Sequence, residues 1–385
     1  MRFNNKNLSD MLRRRAAGLS ILGMACLSLG LTSCESLYDD MSDCRSGIQL
    51  AFNYDYHMEP GANAFAANVD CVTVYVCDPQ GNFITKFTET SDVLRNENYR
   101  MYLPLEKGQY HLLVYGGTEC EHSAFEFFPE VKAEAAAGHK NDVLVNLPTD
   151  ENGVSNRQLH DIEARTGGLF YGTLDITITD NDFRTSDFRE ETVHLMKDTN
   201  NIQVILQELS VPDQMNHEDY NFTITDDNFT LDGYNNPVYA TSRDGSSVSK
   251  IYKPYSTETR LMGYVNANGR EGTLAEEDAT RPVNVACAEF STSRLLTQHM
   301  ESARLLITSA KDKDSNGNEK QIVDIPLITY LAMTKGYGDS WIKDDQEYLD
   351  RQSRWNMMFF LQRNVWVSTR IVVNSWIVRV DPINL

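Results

Sequence analysis

The chain has 385 residues, 41% of them hydrophobic, and 35 Lys+Arg against 55 Asp+Glu. That is long enough for two ordinary domains and apolar enough to bury their cores, which excludes wholesale disorder. A net charge of −20 and a pI near 4.8 argue against nucleic acid as a partner and against electrostatic attachment to an anionic bilayer.

Arg13, Arg14 and Arg15 precede an uncharged run, Ala16 to Ser33, that ends in Leu31-Thr32-Ser33-Cys34. Basic residues, an apolar stretch and small residues before a cysteine make residues 1–33 a lipoprotein signal peptide, with Cys34 as the acceptor of diacylglycerol. A transmembrane anchor fits less well, because ~20 apolar residues are needed to span comfortably and Gly18, Ser20, Gly23, Ser28 and Gly30 dilute the run. Removing residues 1–33 takes away five basic residues and one acidic one, leaving a mature charge of −24. Membrane attachment is therefore expected from the acyl chains, at ~0.8 kcal/mol per buried methylene. Residues 34–45 read as a lipidated linker. Asp39 and Asp40 resemble the acidic residues that mark some lipoproteins for export to the outer face.

Strands are expected from Ile48 to His57, where apolar and polar residues alternate, and at Cys71 to Cys77. Asp78-Pro79-Gln80-Gly81 supplies a turn before the run Phe83 to Phe87, making a hairpin. Alternation at Met101 to Leu105, Tyr110 to Val114 and Val143 to Leu147 completes an N-terminal β-sandwich over residues 46–160, with a short helix at Glu130 to Ala137. A polar stretch, Thr149 to Arg165, reads as the interdomain connection. Beyond it, strand signals at Leu174 to Ile178, Ile202 to Leu206, Tyr220 to Ile224, Val283 to Glu289, Arg304 to Ser309, Gln321 to Ile325, Asn356 to Leu361 and Trp366 to Val380 suggest a larger C-terminal β-sandwich over residues 161–385. The abundance of Tyr, Phe, Val, Ile and Thr agrees with an all-β fold class.

In the last run, Val365, Val367, Thr369, Ile371 and Val373 fall in odd register, whereas Trp376, Val378 and Val380 fall in even register. A one-residue slip inverts every side chain. A bulge or bend is therefore expected at Asn374-Ser375, setting off a candidate terminal strand that contains Trp376, Val378 and Val380. That strand could complete its own sandwich or a neighbour's.

Five cysteines remain after Cys26 leaves with the signal and Cys34 is acylated: Cys44, Cys71, Cys77, Cys120 and Cys287. Cys71 and Cys77 share one extended run, ~20 Å apart, and cannot pair with each other, although either could meet Cys44 or Cys120. With no C-x-x-C spacing, the expectation is small buried residues.

Leu31-Thr32-Ser33-Cys34, Asp43-Cys44, the Ile48 to Tyr56 strand and Val72-Thr73-Val74-Tyr75-Val76 resemble the FimB-type fimbrial anchor (minor fimbrial subunit) family. Ile325-Pro326-Leu327, Tyr348-Leu349-Asp350-Arg351-Gln352, Phe359-Phe360-Leu361 and Asn374-Ser375-Trp376-Ile377-Val378 resemble its later blocks in the same order. The resemblance implies an outer-membrane lipoprotein of two transthyretin-like β-sandwiches in tandem with minor helices, facing the cell exterior as part of a type V fimbria. Its implied partners are fimbrial shaft or accessory subunits, held by β-strand complementation. A surface lipoprotein that captures glycans or another host ligand is the alternative reading.

No enzyme site, cofactor or metal site is expected. Asp312, Asp314, Asn316 and Gly317 open like a calcium loop, but the twelfth position, which should bring a bidentate Glu, is Val323. His194, between Val193 and Leu195, reads as a strand residue. Ser247-Val248-Ser249-Lys250 has a serine–lysine spacing without its companion motifs. Asn221 and Asn228 fit glycosylation sequons but read as ordinary strand residues.

Overall fold

The computed structural model describes residues 47–59, 61–118, 125–127, 144–149, 154, 168–183, 189–239, 249–266, 280–336, 339–373 and 376–380. The expected signal peptide, Cys34, the expected linker and the expected helix near Glu130 lie outside them.

The first half contributes β1 (Ile48–Tyr56), β2 (Val72–Cys77), β3 (Phe83–Glu89), β4 (Met101–Leu103), β5 (Gly108–Gly116), β6 (Glu126–Phe127), β7 (Leu144–Asn146), β8 (Phe170–Ile178) and β9 (Arg189–Lys197). Seven of these form one sheet in the order β3-β2-β5-β8-β9-β1-β4. Every residue of β2 is buried, because both faces of the sheet are covered there. Val72, Val74 and Val76 face a core shared with Leu50, Phe52, Leu112, Val114 and Val193. Tyr75 and Cys77 face the opposite way, onto Leu113, Tyr115, Val145, Leu147 and Phe229.

β8 and β9 pair antiparallel over a short stretch, Phe170 with Lys197 and Tyr171 with Met196. Immediately after that pair a Cβ on Gly172 would come within 2.6 Å of the His194 carbonyl oxygen, so the close approach depends on glycine. On the far side β9 runs parallel to β1, Ile48 opposite Arg189 through Asn53 opposite His194. The sequence reading put β8 and β9 in the second sandwich, with the boundary at 160. Their hydrogen bonds put them in the first sheet, because the alternation of Leu174, Ile176 and Ile178 specifies a half-buried face without saying which sheet it joins.

The second half contributes β10 (Asn200–Glu208), β11 (Tyr220–Asp226), β12 (Thr230–Asp232), β13 (Lys250–Tyr252), β14 (Ser256–Asn266), β15 (Thr280–Thr292), β16 (Arg304–Lys313), β17 (Glu319–Pro326), β18 (Arg354–Gln362), β19 (Val365–Val373) and β20 (Trp376–Val380). A six-stranded sheet, β14-β15-β10-β18-β19-β20, and a four-stranded sheet, β13-β11-β16-β17, enclose one core. Ile202, Val204, Leu206, Phe290 and Phe359 meet Phe222, Ile224, Leu305 and Ile307 there. β12 crosses back to pair with β7, and β6 completes that three-stranded sheet, so the two halves share a continuous core. The fold is all-β with sandwich packing.

The described helices are short: α1 (Phe65–Asn68), α2 (Leu327–Ala332) and α3 (Asp345–Arg351). Asp344 caps α3 by accepting from the Glu347 backbone N–H at 2.8 Å, and Glu347 reaches back to the Lys343 N–H at 2.9 Å. This cap fixes the helix so that Tyr348, Leu349 and Asp350 are buried while Arg351 sits in the last turn.

Candidate subunit-docking edges

The six-stranded sheet ends in two edge strands. At one edge, β20 pairs antiparallel with β19, Val373 opposite Trp376 through Thr369 opposite Val380. The chain therefore reverses between Val373 and Trp376; the bulge or bend expected at Asn374-Ser375 falls outside the described residues. In the reversed strand Trp376, Val378 and Val380 occupy the outermost position of the sheet.

At the other edge stands β14, 11 residues long and unnoticed in the sequence, where Thr257, Glu258, Thr259 and Arg260 blur the alternation. Its ladder to β15 shifts register between Leu261 and Gly263. Leu261 and Met262 are each 54% exposed and Tyr264 41% exposed. A long edge strand with exposed apolar side chains is what native sheets usually avoid unless another chain covers it. β14 is held firmly nonetheless. Arg260 Nη2 donates to Glu289 Oε1 at 2.7 Å, Gln203 Nε2 donates to the same oxygen at 3.1 Å, and the Tyr255 hydroxyl donates to Glu289 Oε2 at 3.0 Å. Burial works against the Glu289 charge, but these donors outweigh it and hold the carboxyl below its usual range.

Buried charge collects elsewhere. Asp198, between β9 and β10, is fully buried, and Asn235 Nδ2 donates to its Oδ1 at 3.0 Å. Burial pushes its carboxyl up to about 7, with Arg294 opposing. His299 Nδ1 lies 2.7 Å from Asp226 Oδ1, and its Nε2 lies 3.2 Å from Asp227 Oδ1 and 2.9 Å from the Tyr239 hydroxyl. Burial disfavours the imidazolium, yet the Asp226 bond and the two carboxylate charges outweigh it and raise the His299 pKa. These three side chains could hold a metal ion, for which His299 would have to be neutral at the nitrogen it offers, against the direction in which the two carboxylates push it. Nothing in the sequence foretold this grouping, since His299 is 72 positions or more from either aspartate.

The motifs singled out in the sequence are local. The Asp314 carboxylate accepts from the backbone N–H groups of Asn316 and Asn318 at 2.8 and 2.9 Å, with Gly317 at φ 85°, which makes a turn between β16 and β17. His194 lies in β9, with Nδ1 3.2 Å from Asp55 Oδ1. Lys250 places its Nζ over the Phe229 ring, and residues 240–248, with Ser247, are outside the described set. Asn228 is fully buried, donating to the Arg294 carbonyl at 2.7 Å and accepting from the Tyr252 hydroxyl, while Asn221 donates to Glu319. Cys77 and Cys287 are buried, as expected. Cys71 is buried too and is disulfide-bonded, a pairing the sequence left open for it.

The family of fimbrillin-A associated anchor proteins Mfa1 and Mfa2 matches residues 41–381. The chain belongs to that family. A Bacteroides thetaiotaomicron VPI-5482 structure, described as "a putative adhesin", is 35% identical over 89% of this chain and 100% of its own, with a TM-score of 0.68. A second from that organism, described among "putative polysaccharide binding proteins", is 26% identical over 88% and 100%, with a TM-score of 0.65. The fimbrial anchor protein Mfa2 from Porphyromonas gingivalis is 17% identical over 86% and 98%, with a TM-score of 0.57, a likeness of fold alone. No curated protein matches the chain. Membership in the anchor family agrees with the resemblance read from the sequence and gives the chain a fimbrial or adhesin-type structural role at the cell envelope. Among the described residues no helix is long and apolar enough to cross a membrane.

Proposed function

We propose that this member of the anchor family is an outer-membrane lipoprotein, acylated at Cys34 and facing the cell exterior, that forms the anchor or a minor subunit of a fimbria. Fimbrial shaft or accessory subunits join it by β-strand complementation at the edges of the six-stranded sheet. Main-chain hydrogen bonds supply affinity in such a joint and alternate side chains set its register. The observation that carries this reading is the exposed apolar edge of β14, where Leu261, Met262 and Tyr264 stand uncovered on a strand fixed to the sheet. The candidate terminal strand with Trp376, Val378 and Val380 is the second edge at which a subunit could add or exchange a strand.

Mild detergent extraction from the native cell, followed by electrophoresis of unheated samples, tests the proposal. The protein is expected in a heat-sensitive, high-mass ladder. Met262→Lys, which puts a charge where an incoming strand would pack, is expected to remove it from the ladder while its melting curve stays unchanged. A Met262→Lys protein that still enters the ladder would move the joint away from β14, and a wild-type protein found only as monomer would overturn strand complementation.

A further inference from the structure

We infer that Cys71 is bonded to Cys120, and that the bond is made after the chain has left the cytoplasm, by a disulfide-bearing thiol oxidant. Cys71 immediately precedes β2, is 2% exposed and is disulfide-bonded. Cys77 and Cys287 are free, Cys26 falls in the expected signal peptide and Cys34 is the expected acyl acceptor, which leaves Cys44 and Cys120. The fold separates these two. At the Cys71 end of the first sheet, just beyond the pairs Val72 with Gly116 and Gly116 with Phe170, the Gly117 N–H donates to the Cys71 carbonyl at 3.1 Å. Gly117 turns there at φ 83°, and a Cβ on it would come within 1.7 Å of the Gly168 carbonyl oxygen. Cys120 follows Gly117 by three residues, and three residues span at most ~11 Å. Cys120 is thus tethered within reach of Cys71.

Cys44 is tethered at the other end of the sheet. It precedes Gly47 by three residues, and Gly47 lies against the Leu103 carbonyl, where β1 begins between β4 and β9. Arg189, opposite Ile48, donates from Nη1 to the Thr177 carbonyl at 2.7 Å, and Thr177 pairs with Gln109 at the start of β5. From Gln109 to Gly117 the chain of β5 runs ~26 Å, at ~3.3 Å per residue. Three residues and the ~7 Å between bridged Cα atoms give Cys44 a reach of only ~18 Å. The Cys71–Cys120 loop encloses β2, β3, β4 and β5. It closes beside the junction of the two halves, where the Asp198 N–H donates to the Leu169 carbonyl at 2.7 Å. Closing so long a loop removes much of the freedom of the unfolded chain. In the oxidation two thiols give up two protons and two electrons, and the oxidant's disulfide is reduced to two thiols. Cytosolic thiols are kept reduced, so the step follows export.

The inference does not depend on fimbrial assembly and is tested without it. Mature protein from native cells is unfolded with iodoacetamide and no reductant, digested and mapped by mass spectrometry. A linked peptide pair holding Cys71 and Cys120 is expected, with Cys44, Cys77 and Cys287 alkylated. Cys120→Ser is expected to free Cys71 for alkylation and to lower the melting temperature by about 5–10 °C, the shift that a strong reductant should give the wild type. Cys44→Ser should change neither. The chain without residues 1–33, retained in the cytoplasm, is expected to carry Cys71 and Cys120 as thiols. A peptide linking Cys71 to Cys44, or alkylated Cys71 in the wild type, would overturn the pairing, and a fully bonded cytoplasmic chain would overturn oxidation after export. The wild-type map decides the pairing even where Cys120→Ser does not fold.

Discussion

Arg294 and Asp350 meet as a fork, with Nε donating to Oδ1 and Nη2 to Oδ2, each at 2.8 Å. The remaining arm of the guanidinium, Nη1, donates to the Asn235 carbonyl at 2.6 Å, and the Asn235 side chain donates in turn to Asp198. Four residues thereby connect the junction of the two halves, the loop after β12 and the helix α3. The pair is largely buried, with side chains 15% and 5% exposed. Taking two charges out of water is costly, but removing one partner is worse, because the other is left buried and unpaired.

Arg294→Met is therefore expected to destabilise the protein by about 3–5 kcal/mol, since it orphans Asp350 and also removes a cation that favours the Asp198 charge. Urea unfolding checks this. A loss below about 1 kcal/mol would mean that water reaches the site and that the fork contributes little.

Asp198 makes stability depend on pH. Its carboxyl titrates at about 7 in the fold against an ordinary value of 3.8, because burial disfavours the charge. Between those values the folded state binds the extra proton, so stability falls as pH rises from about 4 to 7 and then levels, a loss of about 4 kcal/mol from this group. His299, whose pKa is raised, acts in the same direction: its contribution is complete below the unfolded value and is lost as pH rises through the folded one. Asp198→Asn keeps an acceptor for Asn235 and removes the charge. Its stability between pH 4 and 7 should be markedly flatter than that of the wild type, and an unaltered slope would show that Asp198 is not the titrating group.

What was legible in the sequence was what strands state locally. The alternation at Ile48 to Tyr56, the turn at Asp78 to Gly81, where the Gly81 N–H donates to the Asp78 carbonyl at 2.9 Å, and the alternation at Ile202 to Leu206 all appear as read. Pairing between distant strands was not legible. Nothing in Arg189 to Lys197 announces a parallel partner at Ile48 to Asn53, and nothing in Thr230 to Asp232 announces β7. β14 escaped notice for a related reason. Its apolar residues point outward at an edge, whereas sequence patterns reveal strands by the residues they bury.

The proposed lipid anchor rests on Cys34. Cys34→Ser is expected to abolish acylation and leave the protein unprocessed or released, with both cores intact, because it alters none of the core residues. Metabolic labelling with a fatty-acid analogue reads this directly. Undiminished label in the variant would remove the proposed anchor.

Chelation is expected to leave the melting temperature unchanged. The Asp314 carboxylate is already engaged by the N–H groups of its own turn, and Asp312 Oδ2 accepts from Asn364 Nδ2 at 3.2 Å. Only a ligand bound to the native state raises stability by mass action. Melting curves with and without EDTA suffice, and a drop of several degrees would reveal a bound cation, for which the Asp226, Asp227 and His299 group would be the first place to look.

Truncation after Asn374 distinguishes a strand that builds the core from one that serves a partner. Among the described residues β20 pairs with β19 alone, whereas β19 is also fixed on its other side by β18 from Asn356 to Gln362 and is anchored in the core by fully buried Thr369 and Ile371. Removing β20 exposes one ladder edge to water, where the freed backbone groups find new partners, so the expected cost is about 2–3 kcal/mol. The shortened protein should still unfold cooperatively and keep its near-ultraviolet circular dichroism. If the terminal strand is exchanged between subunits, the same truncation removes the protein from the heat-sensitive ladder. Collapse of cooperative unfolding would instead make β20 a core strand of its own sandwich, and full incorporation of the shortened chain would leave β14 as the edge that carries the fimbrial joint.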